Sequence, residues 1–184
     1  MRHRIFIAIN LPEKIKKELA GYENKWLELP CRWTKTENLH ITLAFLGYLT
    51  DEEMLEVLKI TRNALKEREP FSISLNKICY GPAEEKSGRP RMVWAKGEKT
   101  EALADLQDNL VKALESEENR GFSFHLTLGR LKQWEFQKME LEERPEINED
   151  INLNFEVNSV EVMESELKRG GPTYTILESC PLKT

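Results

Sequence analysis

The sequence predicts an α+β fold in which a β-α-β unit occurs twice, and two patterns lead to this prediction. Apolar runs typical of strands alternate with segments whose apolar residues recur at helical spacing. The pattern His, aliphatic, Thr, Leu occurs at His40 and again at His125, 85 residues later. We therefore expect a single domain of two lobes, about 1–80 and 91–184, related by a pseudo-two-fold axis. Mixed or antiparallel sheets should line a central cleft, with three to four helices outside.

The elements of the first half are assigned from apolar periodicity, from Gly and Pro as breakers, and from a capping box at Thr50 and Glu53. The last strand of this half loses its alternation near Asn76, which predicts a bulge. In order, we expect a strand at 5–9, a helix at 12–28 that Pro30 ends, the motif strand at 38–46 that Gly47 ends, a helix from Thr50 to about Arg68, a strand at 71–80 and an exposed loop at 81–90.

The second half repeats the order strand, helix, motif strand and then becomes less regular. Thr100 is the expected cap of its helix, which begins 88 residues after the first helix, so the offset between the halves is nearly constant. In order, we expect a strand at 91–95, a helix at 100–114, the second motif strand at 122–131, a short helix at 136–141, two strands at 151–157 and 160–162 or one bent strand over both, a turn at 168–172 and a closing strand at 174–177.

Both motifs place a histidine and a threonine side by side on a strand. Because side chains alternate along a strand, His40 and Thr42 share one face, while Ile41 and Leu43 share the other. A single pair of this kind would usually be an ordinary polar pair on a half-exposed strand. Its repetition favours a functional site that both halves share, and a pseudo-two-fold axis would bring His40 and His125 together across the cleft.

The composition is that of a globular protein without a strong basic field. Of the 184 residues, 40% are hydrophobic, and the net charge is −5, so any contact with nucleic acid must use a local basic patch. The three cysteines are too few for a disulfide framework or a zinc site, and we expect reduced thiols and a cytoplasmic location. We expect no signal peptide, and no apolar run has the about 20 residues that a membrane helix needs.

Two facing imidazoles suit concerted acid–base catalysis, in which one removes a proton from the nucleophile and the other protonates the leaving group. The hydroxyls of Thr42 and Thr127 would stabilise an anionic centre between them, such as a phosphate. No serine or cysteine lies in the setting of a nucleophile elbow. A metal site of the two histidines with carboxylates from elsewhere stays open as an alternative, although it leaves the threonines unexplained.

The two His-x-Thr-x motifs resemble the signature of the 2H phosphoesterase superfamily. Several further runs look like the branch of RNA 2′,3′-cyclic phosphodiesterases, which was first named for 2′-5′ RNA ligase activity. The resemblance covers essentially the whole chain, apart from residues 133–150, where no family feature is matched. The runs that carry it are 4–9, 38–43, 91–95, 125–130 and 171–174.

The resemblance implies hydrolysis of an RNA 2′,3′-cyclic phosphate end to a 2′-phosphomonoester, without a metal or an organic cofactor. It implies that His40 is the proton donor, that His125 is the proton acceptor, and that Thr42 and Thr127 bind the phosphate. The reverse reaction would join RNA ends through a 2′-5′ bond. The expected partner is RNA with a cyclic phosphate end; we expect a monomer and no membrane contact.

Arg130 is a further candidate for the phosphate, although plain alternation places it on the face opposite Thr127 unless the strand twists or bulges at Gly129. Trp33 and Tyr174 are candidates for stacking on a base, with core packing as the alternative. Other basic residues would contact RNA phosphates or are ordinary surface charge, namely Arg89, Arg91, Lys132, Lys168 and Arg169.

Two other functions fit the same residues. A phosphodiesterase of the same superfamily would act on a small cyclic phosphate or on a 2′-5′ oligonucleotide. A non-catalytic RNA-binding module would keep the pocket without turnover. The intact motifs argue against the non-catalytic module, and a turnover assay on a cyclic nucleotide distinguishes it from an enzyme.

Overall fold

The computed structural model describes residues 2–82, 89–115, 123–169 and 171–183. The strands are β1 (Arg2–Asn10), β2 (Cys31–Trp33), β3 (His40–Thr50), β4 (Phe71–Gly81), β5 (Met92–Gly97), β6 (Leu126–Leu131), β7 (Asn148–Val157), β8 (Ser159–Lys168) and β9 (Gly171–Pro181). The α-helices are α1 (Glu13–Gly21), α2 (Asp51–Leu65), α3 (Glu101–Ala113) and α4 (Gln133–Lys138). Short 3-10 helices lie at Tyr22–Lys25, Thr36–Asn38 and Leu141–Glu143.

The strands form two antiparallel sheets that each draw on both halves of the chain. The first sheet has the order β3-β1-β8-β9, and the second has the order β2-β6-β5-β4-β7. β1 pairs with β3 as β5 pairs with β6, and a helix follows the first strand of each pair, which confirms the duplicated β-α-β unit. Because β4 lies in the second sheet and β8 and β9 lie in the first, neither sheet coincides with the half-chains 1–80 and 91–184.

Local sequence signals located several element boundaries. The capping box of Thr50 and Glu53 forms as predicted, and the Thr100 hydroxyl accepts from the backbone N–H of Leu103. The register of β4 shifts between Leu75 and Lys77, where the sequence predicted a bulge. The three residues of β2 were not predicted, because so short a strand has no periodicity to detect. Parts of the predicted loop 81–90, strand 122–131 and turn 168–172 lie outside the described residues.

Several predicted element ends were wrong. The second motif strand begins at Leu126, so His125 directly precedes it. The first motif strand continues past Gly47 to Thr50. Gly47 has a φ of +76°, and the β1–β3 register shifts beside it, so the strand passes through a local irregularity that glycine tolerates. The first helix ends at Gly21 instead of residue 28, because the chain tightens into a 3-10 helix from Tyr22 to Lys25.

The predicted helix at 136–141 is instead α4, which ends at Lys138, followed by a separate 3-10 helix. The C-terminal strands are longer than predicted, and the pair formed by Lys168 of β8 and Gly171 of β9 lies within the range 168–172 that was predicted as a turn. No helix within the described ranges has both the length and the apolar character that crossing a membrane requires.

The apolar faces of both motif strands lie in one core. Ile41 and Leu43 of β3 and Leu126 and Leu128 of β6 are all at most 3% exposed. They share a cluster with the buried leucines of α3, among them Leu106. Because the apolar side chains alternate with the histidines and threonines, burial of one set turns the other set to the opposite face, towards the cleft.

His3 on β1 links the N-terminal strand to two neighbouring elements. Its Nδ1 lies 2.6 Å from a carboxylate oxygen of Glu164 on β8, and its Nε2 lies 2.7 Å from one of Asp51 on α2. The hydrogen bonds to Glu164 and then to Asp51 raise the pKa of His3 above its ordinary 6.5. A histidine whose pKa is raised by folding stabilises the native state at pH values below its unfolded-state pKa. This stabilisation is lost as the pH rises through its folded-state pKa.

We therefore expect His3→Gln to lower the melting temperature most below pH 6.5, where the imidazolium pairs with both carboxylates. The difference from wild type should shrink as the pH rises through the folded-state pKa, because a neutral imidazole no longer pairs with the carboxylates as an ion. Thermal unfolding followed by circular dichroism from about pH 5.5 to about pH 9 measures this difference. A deficit that is the same at every pH would contradict the explanation.

Candidate active site

The two motif strands meet where the sheets adjoin. β3 is the edge strand of the first sheet, and it contacts β6 of the second. His40 and His125 are each half-buried, and the positive charge of Arg130 acts on both imidazoles. The structure therefore brings both motifs and Arg130 to one site.

Each imidazole is held by the same hydrogen bond to the backbone. Nδ1 of His40 lies 2.6 Å from the carbonyl oxygen of Asn38, and Nδ1 of His125 lies 2.7 Å from that of Ser123. A carbonyl oxygen only accepts, so Nδ1 carries the proton in both rings. A neutral ring then presents Nε2 as a base, and a protonated ring presents an Nε2–H as an acid. No residue pattern indicates these bonds in advance, because any residue two positions before the histidine supplies a carbonyl.

The threonines lie on the same face as the histidines, as the alternation predicts. The Thr42 hydroxyl is 3.1 Å from Nε2 of His40, so the hydroxyl and the imidazole can contact the same group of a ligand in the cleft. The Thr127 hydroxyl lies 4.0 Å from the sulfur of Met92, and a guanidinium nitrogen of Arg130 lies 3.4 Å from the same sulfur. Thr127 and Arg130 therefore share one face of the second sheet.

Arg130 reaches this face because β6 bulges after Thr127. Thr127 and Gly129 pair with consecutive residues of β5, so Leu128 is an extra residue in the strand. The bulge reverses the alternation: Leu128 and Gly129 are both buried, and Arg130 is exposed. The strand thus has the bulge that the sequence analysis required for Arg130 to lie on the same face as Thr127.

Strand β2 explains why the second motif is followed by a glycine. β2 lies beside β6, with Trp33 directly opposite Gly129. A Cβ at position 129 would lie 2.4 Å from the Cys31 sulfur, far closer than packing allows. The first motif has Ala44 at the equivalent position, and β3 has no strand on that side because it is the edge of its sheet.

Aromatic rings contact both imidazoles. The Trp94 ring stacks on His125 with centroids 4.0 Å apart and an interplanar angle of 26°. Phe6 and Tyr174 contact His40 at centroid distances of 5.0 and 5.1 Å. These rings restrict rotation of the imidazoles and so support the hydrogen bonds from Nδ1. Phe6 and Trp94 were missed from the sequence, because only the strand register places them beside a histidine.

Burial is the first cause of a lowered pKa at both histidines, since it disfavours the charged ring. The backbone hydrogen bonds oppose this effect, whereas nearby positive charges add to it, Lys16 and Arg130 at the first histidine and Lys96 and Arg130 at the second. Lys16 is itself buried, with its ammonium 3.1 Å from the carbonyl oxygen of Glu37. Neutral rings are therefore favoured at neutral pH, and a nearby anion would restore the protonated form.

The remaining sequence candidates separate into packing and surface residues. Trp33 stacks on Trp26 at 6.3 Å and 18° against the core, which favours its packing interpretation. Lys132 and Lys168 form exposed ion pairs at 3.3 and 2.9 Å, an arrangement typical of ordinary surface charge. The other basic candidates are exposed, namely Arg89, Arg91 and Arg169.

Two basic residues that the sequence did not single out lie near the site. Arg32 is directly opposite Arg130 in the β2–β6 register, so the two side chains share a face. The Lys96 ammonium lies 5.4 Å from the Trp94 ring centroid, and its charge acts on His125. The acidic chain thus has a local concentration of positive charge on the second sheet.

Two antiparallel sheets whose adjoining strands each carry a His-x-Thr motif define a 2H phosphoesterase. The site combines two imidazoles of the same tautomer with two hydroxyls and a guanidinium. Within the described residues, no cluster of three or more His, Cys, Asp or Glu side chains has an arrangement that would hold a metal ion.

The chain belongs to the 2′-5′ RNA ligase superfamily, whose family model matches residues 13–169. Among its relatives are proteins named RNA 2′,3′-cyclic phosphodiesterase. The Methanocaldococcus jannaschii protein is 29% identical over 95% of this chain and 98% of its own length. The Thermus thermophilus protein is 30% identical over 98% of this chain and 90% of its own length.

Solved structures show the same fold. TT0787 of Thermus thermophilus superposes with a TM-score of 0.82 at 29% identity, over 97% of both chains. E. coli LigT in its apo form superposes with a TM-score of 0.77 at 26% identity, over 100% of this chain and 99% of the other.

Arg130→Met should raise the pKa of both His40 and His125, because it removes a positive charge that disfavours both imidazolium ions. An NMR titration of the histidine ring protons resolves the chain's three histidines, and His3 serves as the internal reference. Arg32→Met removes the same charge from the directly opposite position and is the matched control, with a smaller expected shift. Unchanged or lowered pKa values in Arg130→Met would contradict the shared site.

Proposed function

We propose that the protein hydrolyses RNA 2′,3′-cyclic phosphate ends to 2′-phosphomonoesters by acid–base catalysis with His40 and His125. The observation that carries the proposal is the matching Nδ1 hydrogen bond of both rings, which turns both Nε2 atoms away from the accepting carbonyl, that of His40 towards the Thr42 hydroxyl. The relatives that are named RNA 2′,3′-cyclic phosphodiesterase support this choice of substrate.

In the proposed reaction, Nε2 of neutral His125 removes a proton from water as the water oxygen attacks phosphorus. The bond between phosphorus and the 3′-oxygen breaks, and the Nε2–H of His40 donates its proton to that oxygen. The ester bond to the 2′-oxygen stays, so the product is a 2′-phosphomonoester. His40 ends neutral and His125 ends protonated, and proton exchange with solvent restores the starting forms.

The groups around the two rings supply charge stabilisation in this scheme. Thr42 and Thr127 donate hydroxyl hydrogen bonds to the phosphate oxygens, and Arg130 offers a charged forked donor. The negative charge of the cyclic phosphate also offsets the lowered pKa of His40, because a nearby anion favours the imidazolium. Side chains of the protein carry out both proton transfers and stabilise the charge, so the scheme requires no metal or organic cofactor.

The RNA partner is consistent with an acidic protein because the positive charge is local. Arg32, Arg130 and Lys96 lie near the site and would contact backbone phosphates of an RNA end without regard to sequence. With a 5′-hydroxyl in place of water as the nucleophile, the same site would join it to a cyclic phosphate end. His125 would take the hydroxyl proton, and His40 would protonate the departing 3′-oxygen, so 2′-5′ ligation is a second proposed activity. One chain carries both motifs, so a monomer is sufficient.

His40→Ala and His125→Ala should each lower kcat/KM on a 2′,3′-cyclic nucleotide by about 10²–10⁴-fold, the usual contribution of one general acid or base. The kcat/KM of the double variant should be little lower than that of the less active single variant, because the two rings act as a unit. The wild-type pH profile should be bell-shaped. His125→Ala should remove its acidic limb, since the base must be deprotonated, and His40→Ala its alkaline limb.

His3→Ala is the matched control, since it makes the same substitution outside the site and should leave kcat/KM near the wild-type value. Thermal unfolding of each variant establishes that the fold is retained. Near-wild-type activity in a folded His40 or His125 variant would show that the motif is structural.

A further inference from the structure

The Met92 side chain lies between the two proposed phosphate-binding groups of the second sheet. Met92 of β5 is directly opposite Arg130 in the β5–β6 register, so the two side chains share a sheet face. Its sulfur lies 3.4 Å from a guanidinium nitrogen of Arg130 and 4.0 Å from the Thr127 hydroxyl. One thioether therefore contacts both groups that the proposed reaction assigns to the phosphate on this side of the cleft.

The contacts of the Met92 sulfur are weak, because a thioether is a weak hydrogen-bond acceptor. A phosphate oxygen accepts from a guanidinium in a charge-assisted bond, which is about twice as strong as a bond between neutral groups. A phosphate therefore takes Arg130 and Thr127 from the sulfur at little cost. The thioether form of Met92 leaves both donors available to the substrate.

Oxidation of Met92 would change this competition. The sulfur lone pair attacks one oxygen of hydrogen peroxide, the O–O bond breaks, and the thioether loses two electrons as the peroxide is reduced to water. The product, methionine sulfoxide, carries a polar S–O group in place of an apolar sulfur. Because the new oxygen is bonded directly to the sulfur, it lies within reach of the same guanidinium and hydroxyl. A sulfoxide oxygen is a much better acceptor than a thioether, so it would compete with the phosphate for both.

The surroundings of Met92 differ from those of the other methionines that the structure describes. Met163 is only 5% exposed, whereas Met92 is partly exposed. Met54 of α2 and Met139, directly after α4, are also partly exposed. Among these four, only the sulfur of Met92 is contacted by side-chain donors. Met92 is thus the described methionine whose oxidation would act directly on the site.

We propose that Met92 is a site of oxidative modification, at which a small hydroperoxide forms a sulfoxide that accepts from Arg130 and Thr127 and withholds both from the substrate phosphate. The inference rests on the proposed function, in which these two side chains bind the phosphate. Methionine sulfoxide is reduced enzymatically, so the modification is a reversible inhibition.

Two of the three cysteines are poor targets for the same oxidant. Burial raises the pKa of the Cys31 thiol to about 12 and that of Cys180 to about 11, and the thiolate is the form that reacts. Cys79 is partly exposed, so a test must separate its oxidation from that of Met92. Dithiothreitol makes this separation, because it reduces disulfides and sulfenic acids and leaves methionine sulfoxide to the sulfoxide reductases.

The test treats the wild type with increasing hydrogen peroxide. Peptide mass spectrometry measures the fraction of Met92 oxidised, and kcat/KM is measured on adenosine 2′,3′-cyclic phosphate. The fraction of activity lost should follow the fraction of Met92 oxidised. Complete oxidation should lower kcat/KM by about 10- to 100-fold, the usual contribution of hydrogen bonds with a charged partner. Dithiothreitol with both methionine sulfoxide reductases should restore the activity, and dithiothreitol alone should not.

Met92→Leu removes the oxidisable sulfur and nearly conserves the side-chain volume. Compared with its own untreated sample, it should keep most of its activity at the peroxide dose that inactivates the wild type. Met54→Leu is the matched control, because it makes the same substitution at a partly exposed methionine on α2, and it should lose activity as fast as the wild type.

Inactivation of folded Met92→Leu at the wild-type rate would overturn the inference, and so would full activity in wild type whose Met92 is completely oxidised. The second measurement decides if the leucine variant does not fold. Untreated wild type that turned over no cyclic phosphate would overturn the proposed function instead. The NMR signal of the Arg130 Nε–H, assigned by its absence from Arg130→Lys, then decides the modification site. It should shift when Met92 is oxidised, and an unmoved signal would overturn the inference.

Discussion

The hydrogen bond from Nδ1 of each motif histidine to the carbonyl two residues earlier determines what the site can do. It fixes the tautomer with the proton on Nδ1, so Nε2 is the nitrogen of each ring that gains and loses a proton. At His40 the accepting carbonyl belongs to a 3-10 helix at Thr36–Asn38, which other elements hold in place. The Lys16 ammonium of α1 donates to the backbone of this turn, and the Asn38 amide donates to the carbonyl of Pro172 at 2.9 Å. Elements remote in sequence thus orient the ring.

The motif strands, their apolar faces and the pairing of histidine with threonine were predictable, because alternation with a period of two holds over the four residues of each motif. The sheet face on which Arg130 lies was not predictable, because the bulge at Leu128 arises from pairing with β5, and no local pattern reveals that pairing. The contact of Trp94 with His125 has the same origin. Gly47 was misread as a strand end because a glycine marks a bulge as readily as a break.

The two halves share the residues that build the scaffold and differ in those that give the cleft a direction. Each half has a bulge after its motif threonine, so the fourth and fifth residues after the histidine occupy equivalent places. At the fourth residue after the histidine, only the second half requires a glycine, because β2 lies beside Gly129. At the fifth residue, Phe45 and Arg130 differ, so only the second half adds a guanidinium to the site. A nearly symmetric scaffold thereby carries different groups beside its two histidines.

The most direct test of the proposed account is product mapping on a short RNA with a 2′,3′-cyclic phosphate end, with 2′- and 3′-phosphate products separated by chromatography. If His40 protonates the 3′-oxygen while His125 activates water, the product carries the phosphate on the 2′-oxygen only. A 3′-phosphate product would show that the opposite bond breaks and that the orientation in the cleft is reversed. An RNA end left intact by the folded wild-type enzyme would contradict the assignment of this substrate altogether.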